Sequence, residues 1–380
     1  MAKAALKELF TRHFATLTDP RLTRTRRHEL LNMIILALCG TMSGADGWVE
    51  IANYARTKLA FFRRYLHLPQ GTPSHDTFGR VFARLDPTAL LPCIQSWLSS
   101  FRTSLQDDIV AIDGKTLRGS FDTAAEQSPL HLVSVWASAA RLVLGQVAVA
   151  ADSNEITAIP QLLELLDLKG ATVTLDAMGC QKEIAAAIRG KEADYVLKLK
   201  DNHPKMLAAV RNAFGELALN DFTAPGVRQH RTRERGHGRN ELREYVIAPV
   251  PNDLVQRDDW KDLTSIGMVY RLRDDGTRET ETASYYLCST AAHVKHFARA
   301  VRGHWGIENT LHWSLDVTFA EDRSRIRKDH GPANLAMLRR LTLSMIKQDT
   351  QSKYSLRSRR LVAGWDDEQL LRFLIGFHRK

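Results

Sequence analysis

Residues 109–120 read IVAIDGKTLRGS, and this stretch decides which fold the surrounding chain can adopt. The residues from Ile109 to Ile112 are apolar and mostly β-branched, which predicts a short buried strand. Asp113 ends that strand and precedes Gly114, so two interpretations of its carboxylate are open. Asp-Gly is a common turn dipeptide, which would make Asp113 a turn cap. Alternatively, a buried and unpaired acid is costly, and a cation or a substrate would have to stabilise it there.

Further strands and helices alternate after this stretch. In chain order they are a strand at 131–138, a strand at 141–150, a helix at 156–166, a strand at 171–176, a helix at 181–190 and a strand at 194–200. Three consecutive strands followed by alternating helices and strands predict an α/β fold, a mixed sheet with helices on both faces. This is the order of elements in a ribonuclease-H-like fold.

The segments that flank this unit differ from it in composition. Residues 1–105 carry apolar side chains at helical spacing and predict an all-helical N-terminal domain. That domain is either a plain bundle or a DNA-binding domain with a helix-turn-helix. Residues 106–350 are predicted to form the α/β domain, with a β-rich segment inserted at about 201–290, and residues 351–380 to form a basic helical C-terminal tail.

The chain is basic, with 53 Lys and Arg against 43 Asp and Glu, a net charge of +10 at pH 7 and a pI of about 9.5. This charge favours a polyanionic partner but does not distinguish nucleic acid from an anionic membrane. The most apolar stretch, residues 30–42, is too short to span a bilayer, which argues against a membrane protein. The four cysteines lie far apart in the sequence and predict free thiols in the cytoplasm.

Asp176 repeats the arrangement of Asp113, because it ends the apolar strand predicted at 171–176. If the two strands are neighbours in the sheet, their ends bring two carboxylates close together. Adjacent carboxylates raise each other's pKa unless a cation lies between them. Oxygen ligands of this kind suit Mg²⁺ or Mn²⁺, and two such ions support in-line displacement at phosphorus.

A third acid is available on the helix predicted near 292–312. There His304, Glu308 and His312 follow one another at a spacing of four and share a helix face. A zinc site is one interpretation, although the spacing is not HExxH. An exposed polar face is another. Rival third acids are predicted to lie beyond the helix end, namely Asp316, Glu321 and Asp322.

Several blocks resemble, in order, those of the bacterial insertion-sequence transposases of the ISAs group, to which the H-repeat-associated proteins belong. The blocks are IVAIDGKTLRGS, TLDAMGCQKEIA, DYVLKLKDNHP and RGHWGIENTLHWSLDVTFAEDRSRIR. The resemblance covers roughly residues 15–350. It implies a ribonuclease-H-like DDE catalytic domain in which Asp113, Asp176 and Glu308 are the catalytic acids and hold two Mg²⁺ ions, with Mn²⁺ as a substitute.

The function implied by this resemblance is that of a DNA transposase, which cleaves and joins the ends of its insertion sequence. Its partner would be double-stranded DNA, both the terminal inverted repeats and the target. A dimer on DNA is expected, in the bacterial cytoplasm and associated with the nucleoid. The wider group carries a Tyr-x₂-Arg-x₃-Glu-x₆-Lys signature around the last acid, whereas this chain has Val301, His304 and Leu315 at those positions. A catalytically inactive, DNA-binding relic is therefore the alternative.

Basic and polar side chains near the three acids are predicted to contact DNA, with a solvated surface as the alternative for the turn after Asp113 and for the arginine-rich stretch 228–243. They are Lys115, Arg118, Lys198, Lys200, Asn202, Arg302, His304, His312, Arg231, Arg233 and Arg235. Trp305 and Trp313 are predicted to pack the helix against the sheet, with stacking on a flipped base as the alternative.

Overall fold

Strand β1 (Ile109–Thr116) lies inside a large mixed sheet in the computed structural model of the chain. The structure describes residues 2–101, 104–123, 126, 128–150, 152–236 and 239–375. Within these residues the other strands are β2 (His131–Ala137), β3 (Leu142–Ala148), β4 (Thr172–Leu175), β5 (Asp194–Leu199), β6 (Arg228–Gly236), β7 (Arg239–Pro249), β8 (Ser265–Asp274) and β9 (Glu279–Cys288). Their order in the sheet is β3-β2-β1-β4-β5-β9-β8-β7-β6.

The helices of the described chain lie before, between and after these strands. They are α1 (Ala2–Phe14), α2 (Leu30–Met42), α3 (Trp48–Thr57), α4 (Leu59–Phe62), α5 (His75–Arg84), α6 (Pro87–Ser99), α7 (Glu155–Glu164), α8 (Lys182–Gly190), α9 (Pro204–Leu219), α10 (Val294–Gly306), α11 (Trp313–Val317), α12 (Gly331–Lys347), α13 (Leu356–Trp365) and α14 (Asp367–Ile375). A π-helical segment, Ile307–His312, joins α10 to α11.

The first five strands follow the predicted order of elements. β1, β2 and β3 are antiparallel neighbours, whereas β1, β4 and β5 run parallel and are linked through α7 and α8. The predicted end of β1 is wrong, because the strand continues past Asp113 to Thr116 by pairing with β2. Its pairing with β4 stops at Ala111. Asp113 therefore lies where β1 loses its parallel neighbour.

The segment 201–290 extends the same sheet. β9 pairs with β5 from Val196 to Leu199, and β8, β7 and β6 follow outward as antiparallel neighbours. β6 is the edge strand, and most of its side chains are exposed. Charged side chains on an exposed edge strand disfavour pairing with other chains.

The two faces of the sheet are covered differently, as the alternation along β1 shows. Val110 and Ile112 belong to a large hydrophobic core that also contains residues of α7, α8 and the N-terminal helices. Ile109 packs in a smaller cluster with α10, and Ala111 packs in another with the π-helical segment and α11. The helix that carries Glu308 therefore covers the face opposite to the large core.

The N-terminal helices and the last helices share that large core. Its buried residues run from Phe10 in α1 to Leu374 in α14. Residues 356–375, predicted to belong to a basic tail, form two packed helices, and Lys58 holds Asp367 at 2.9 Å. Residues 376–380 of the predicted tail lie outside the described residues. No helix in the described ranges combines the length and apolar character that crossing a membrane requires.

Candidate active site

Asp113 and Asp176 lie just beyond the point where the pairing of the neighbouring strands β1 and β4 ends, and so at the same edge of the sheet. Ala111 of β1 pairs with Thr174 of β4, and each acid follows two residues later in its own segment. Because side chains alternate between sheet faces, each acid is directed to the same face as the residue two positions before it. The Thr174 hydroxyl lies 3.1 Å from Nδ1 of His304 on α10, so this face is the one that α10 covers.

Glu308 belongs to the helix that covers this face. α10 approaches β1 closely at Gly303, where a Cβ atom would lie 2.7 Å from a side-chain carbon of the strand. Glu308 follows in the π-helical segment, a conformation that recurs at functional sites. Its side chain lines a cleft together with Thr174 and Lys198. All three predicted acids therefore lie on one side of the sheet.

The surroundings of Asp113 disfavour its negative charge. Burial raises its pKa to about 7, helped by the negative charges of Glu155, Asp176 and Glu308 and opposed by a hydrogen bond from the Gly114 amide. The other acids are arranged differently. Oδ1 of Asp176 accepts hydrogen bonds from the amides of Met178 and Gly179, so Asp176 caps the turn after β4. Asp113 has no such turn-capping bond among the described residues, and the turn-cap interpretation fits Asp176 better.

Glu155 is an acid of this region that the sequence did not single out. Its Oε1 accepts a hydrogen bond at 2.7 Å from His131 Nε2, and the other ring nitrogen of His131 lies 2.8 Å from the Thr116 hydroxyl. A Cβ atom at Gly114 would lie 1.9 Å from Oε1 of Glu155. A side chain at position 114 would collide with Glu155. Glycine is therefore required for the Glu155 carboxylate to lie next to the residue that follows Asp113. The signal in the sequence was the Asp-Gly pair, for which a turn was one of the two open interpretations.

His304 and His312 both face the sheet, and both are uncharged at neutral pH. Burial lowers the pKa of His304, helped by Lys198 and opposed by Asp176. Burial, Arg340 and Lys115 lower the pKa of His312 to about 3. The prediction that these two side chains contact DNA stays a prediction.

Lys115 is also placed differently from the prediction. It is buried, and its Nζ lies 2.8 Å from a carboxylate oxygen of Asp316 and 2.7 Å from one of Asp322. These ion pairs fix β1 to α11, which carries Asp316, and to the segment after α11, which carries Asp322. Arg118, in contrast, is 83% exposed beside Asp322. The rival acids Asp316 and Asp322 therefore serve as partners of Lys115.

A basic cleft of about 430 Å³ adjoins Glu308 on the side of β7, β8 and β9. Its walls include five cations, which are Lys198, Arg243, Arg271, Arg273 and Arg302. Burial, Lys200 and Arg271 lower the pKa of Lys198, with Asp176 and Glu308 opposing the shift. Predicted residues Lys198 and Arg302 thus border the acids. This concentration of positive charge suits a phosphate-bearing ligand.

The remaining predicted DNA-binding residues lie at the surface. Lys200 is exposed at the end of β5, and the Asn202 side chain donates to the Ala177 carbonyl near Asp176. Arg231, Arg233 and Arg235 are exposed on β6, and Arg231 pairs with Glu244.

Trp305 of α10 and Trp313 of α11 are exposed. Trp305 is 49% exposed and Trp313 is 56% exposed, so the prediction that they pack the helix against the sheet was wrong. The guanidinium of Arg302 lies 5.2 Å from the ring centroid of Trp305. An exposed aromatic ring beside a cation and an acid offers a surface on which a base can stack.

The described residues contain no group of three His, Cys, Asp or Glu side chains close enough to hold one metal ion by themselves. The donor set nevertheless suits a hard divalent cation, because it consists of carboxylate oxygens. Mg²⁺ is usually held by one or two carboxylates, with water and substrate phosphate oxygens as further ligands. The arrangement of Asp113, Asp176 and Glu308 fits that pattern.

Comparisons with known proteins agree with the geometry. Residues 104–345 match the family described as "Transposase DDE domain", and residues 11–98 match "DDE_Tnp_1-associated". The chain is 34% identical over 376 residues to the "H repeat-associated putative transposase YhhI" of Escherichia coli K12, a match that covers 98% of both proteins. It is 35% identical over 352 residues to the "Putative transposase YncI" of Escherichia coli O157:H7, covering 92% of this chain and 90% of that protein.

Among solved structures, a piggyBac transposase synaptic complex with hairpin DNA aligns with 97% of this chain and 74% of that chain. Its TM-score is 0.38 at 11% sequence identity, which is too low to assign the fold. The family match spans most of the chain, and the E. coli relatives extend over nearly all of it. The chain therefore belongs to the family of transposases with a DDE domain.

Proposed function

We propose that this chain is a DNA transposase that cleaves and joins the ends of its insertion sequence by metal-dependent phosphoryl transfer. The observation that carries the proposal is the position of Asp113, Asp176 and Glu308, which are distant in the sequence but lie on one face at one edge of the sheet. The partner is double-stranded DNA in the bacterial nucleoid, bound by a dimer.

The topology supports a ribonuclease-H-like classification of the catalytic domain. Three antiparallel strands followed by two parallel strands, in the order β3-β2-β1-β4-β5, carry the first two acids. The strands β6 to β9 are then an insertion that continues the sheet before the chain returns in α10 with Glu308.

Asp113, Asp176 and Glu308 would hold two Mg²⁺ ions, and Mn²⁺ would substitute. Bound there, such ions supply activation of the attacking oxygen and stabilisation of the leaving oxygen at phosphorus. Asp113, on which the charges of both other acids act, would hold the ions together with Asp176 and Glu308. Oδ2 of Asp176 has no hydrogen-bond partner among the described residues, which leaves it available as a ligand.

The basic cleft would hold the strand that is cut. Lys198 and Arg302 border Glu308, and Arg271 and Arg273 extend the positive wall along β8. Charge-assisted contacts to phosphate oxygens position a strand without reading its sequence. Trp305 would support a base next to the reacting phosphate.

One observation favours the alternative of a catalytically inactive, DNA-binding relic. At the signature positions, His304 is half-buried and its pKa is lowered by burial, and Leu315 is buried in the cluster beneath the helix. Neither supplies the cation that the wider group has there. The cleft offers Lys198 and Arg302 in their place, which is why we retain the active enzyme as the proposal.

The test is cleavage of duplex DNA that carries the inverted repeats flanking the coding region. We expect Mg²⁺-dependent cleavage by the wild type and a loss of roughly a thousandfold for Asp113→Asn, Asp176→Asn and Glu308→Gln. Glu164→Gln, an exposed acid of α7, is the matched control and should cleave normally.

Wild-type cleavage by any of the three variants would remove that residue from the site. DNA binding by the wild type without cleavage in Mg²⁺ or Mn²⁺ would support the relic instead. Equal cleavage of DNA that lacks the repeats would indicate a general nuclease.

A further inference from the structure

The N-terminal helices carry a second basic surface, apart from the cleft beside Glu308. Part of it comes from the charged run at residues 21–28, where two arginines brace the loop. Arg21 is buried, pairs with Asp19 at 2.7 Å and donates to the His28 carbonyl. Arg26 donates to the backbone carbonyl of Arg21 at 2.9 Å. The loop therefore has a defined conformation that is built by its own side chains.

Another arginine of this loop, Arg27, lies near α5 and has no side-chain partner among the described residues. Arg27 borders a concavity of about 480 Å³ together with Arg80 and Arg84 of α5. All three are exposed, and none has an ion pair or a side-chain hydrogen bond within the described ranges. Arg80 and Arg84 are four residues apart on one helix face, where like charges repel. No acidic side chain of the described chain lines the concavity, so its positive charge is unbalanced.

The same surface continues toward the catalytic edge. Arg80 also borders a groove of about 660 Å³ between α5 and the segment 320–331, which contributes Arg323, Arg325 and Lys328. These three are exposed and have no ion pair in the part of the chain that the structure describes. Asp46, Glu50 and Asp76 also line the groove, so its positive charge lies mainly on the segment 320–331.

That segment leads directly to the proposed active site. Asp322 holds Lys115 at 2.7 Å, and Lys115 lies two residues after Asp113 in β1. Arg118 also lies 3.5 Å from Asp322. A polyanion bound along the groove would therefore reach the edge of the sheet where the three acids lie.

The geometry assigns this surface, formed by Arg27, Arg80, Arg84, Arg323, Arg325 and Lys328, to the phosphate backbone of the DNA duplex that flanks the cleavage site. We call it the N-terminal basic surface. The assignment rests on the proposed function and extends it, because it gives the N-terminal helices the task of holding the duplex. A row of separated cations over two joined concavities fits a backbone with regularly spaced charges better than it fits a single small anion.

A membrane is the less suitable polyanion for this surface. An interfacial helix presents an apolar face to the lipid. The apolar face of α5 is already used inside the protein, where Phe78, Val81 and Phe82 are buried and the ring of Trp48 lies 4.8 Å from that of Phe82. The exposed face of α5 is basic and polar.

The experiment measures the affinity of the full chain for an element-end duplex by fluorescence anisotropy over a range of salt concentrations. Arg80→Ala/Arg84→Ala should weaken binding on the order of tenfold at physiological salt and reduce the salt slope by about 0.9 for each phosphate that is no longer neutralised. Arg56→Ala/Arg63→Ala, two exposed arginines elsewhere on the N-terminal helices, is the matched control. Arg80→Lys/Arg84→Lys should retain most of the affinity.

Wild-type affinity and salt slope in Arg80→Ala/Arg84→Ala would overturn the inference and leave the proposed function intact. An equal loss in the control would also overturn it, because the effect would then follow from net charge alone. If the variant lost binding to anionic vesicles but not to DNA, a membrane would replace the duplex as partner. Failure of the wild type to bind DNA at all would overturn both proposals.

Discussion

Two halves of one sheet direct opposite charges toward α10, and they differ in how those charges are balanced. On β7 and β8 two arginines have an acidic partner: Arg243 lies 2.6 Å from Glu241, and Arg271 lies 3.7 Å from the same carboxylate. On β1 the charged groups that act on the carboxylate of Asp113 are the acids Glu155, Asp176 and Glu308, and burial together with these acids raises its pKa to about 7. The two arginines are stabilised by their acidic partner, whereas the carboxylate of Asp113 requires a cation to balance its charge.

Replacing an acid by its amide should therefore have opposite effects on the free energy of unfolding in the two halves. Asp113→Asn removes an unbalanced charge and should stabilise the metal-free protein at pH 8 by up to roughly 4 kcal/mol, since each pKa unit corresponds to about 1.4 kcal/mol. Because the pKa of Asp113 is raised in the folded state, protonation of Asp113 stabilises the fold. This contribution is fully present below about pH 4 and is lost as the pH rises through about 7. The measurement is urea unfolding of both proteins without divalent ions at pH 4 and pH 8. A variant less stable than the wild type at pH 8 would contradict this comparison.

In the basic half, Glu241→Gln should destabilise the protein by about 2 kcal/mol, because a charged partner of the buried Arg243 is lost. Glu234 remains within 3.0 Å of Arg243 and limits the effect. The same unfolding experiment measures it, with Glu164→Gln as the control. A higher free energy of unfolding for Glu241→Gln would contradict the comparison, because it would show that the charge of Glu241, like that of Asp113, is not balanced.

Removing cations from the cleft should affect DNA binding more than folding. Arg271→Ala/Arg273→Ala should weaken binding of the element-end duplex by on the order of tenfold and lower its salt dependence. Arg56→Ala/Arg63→Ala again provides the control. Unchanged affinity would exclude this wall of the cleft from the DNA path.

The smallest expected effect concerns Glu155. Glu155→Gln keeps an acceptor for His131 but removes the first of the charges that raise the pKa of Asp113, so that pKa should move toward its ordinary range. The stability difference between Glu155→Gln and the double variant Glu155→Gln/Asp113→Asn should develop with a certain midpoint pH. That midpoint should be lower than the midpoint of the difference between the wild type and Asp113→Asn. The same midpoint in both backgrounds would mean that the charge of Glu155 does not reach Asp113.

Sequence patterns predicted the parts of this site that depend on local regularity. The apolar runs before Asp113 and Asp176 specified strands, and the parallel pairing of β1 with β4 then brings both acids to one edge. The ion pairs of Lys115 were not predictable, because Asp316 and Asp322 are about 200 residues away and reach it only through the fold. The burial that lowers the pKa of His304 and His312, between the helical segment 294–312 and the sheet, is equally invisible in the sequence.

Two further differences have structural reasons of the same kind. The exposure of Trp313 follows a π-helical segment, whose winding differs from the α-helical spacing used to place side chains. The continuation of the sheet through β9 depends on pairing with β5 across a long stretch of chain. Periodicity indicates strands in 201–290 but not which neighbour they pair with.

The proposed activity depends on Asp113, Asp176 and Glu308 together holding the divalent ions that cleavage requires. Mn²⁺ binding to the full chain with an element-end duplex, followed by electron paramagnetic resonance, tests this without relying on activity. We expect bound Mn²⁺ in the wild type and in Glu164→Gln, and at least about tenfold weaker binding in Asp113→Asn, Asp176→Asn and Glu308→Gln. Mn²⁺ affinity equal to that of the wild type in all three variants would contradict the assignment of the three acids as metal ligands.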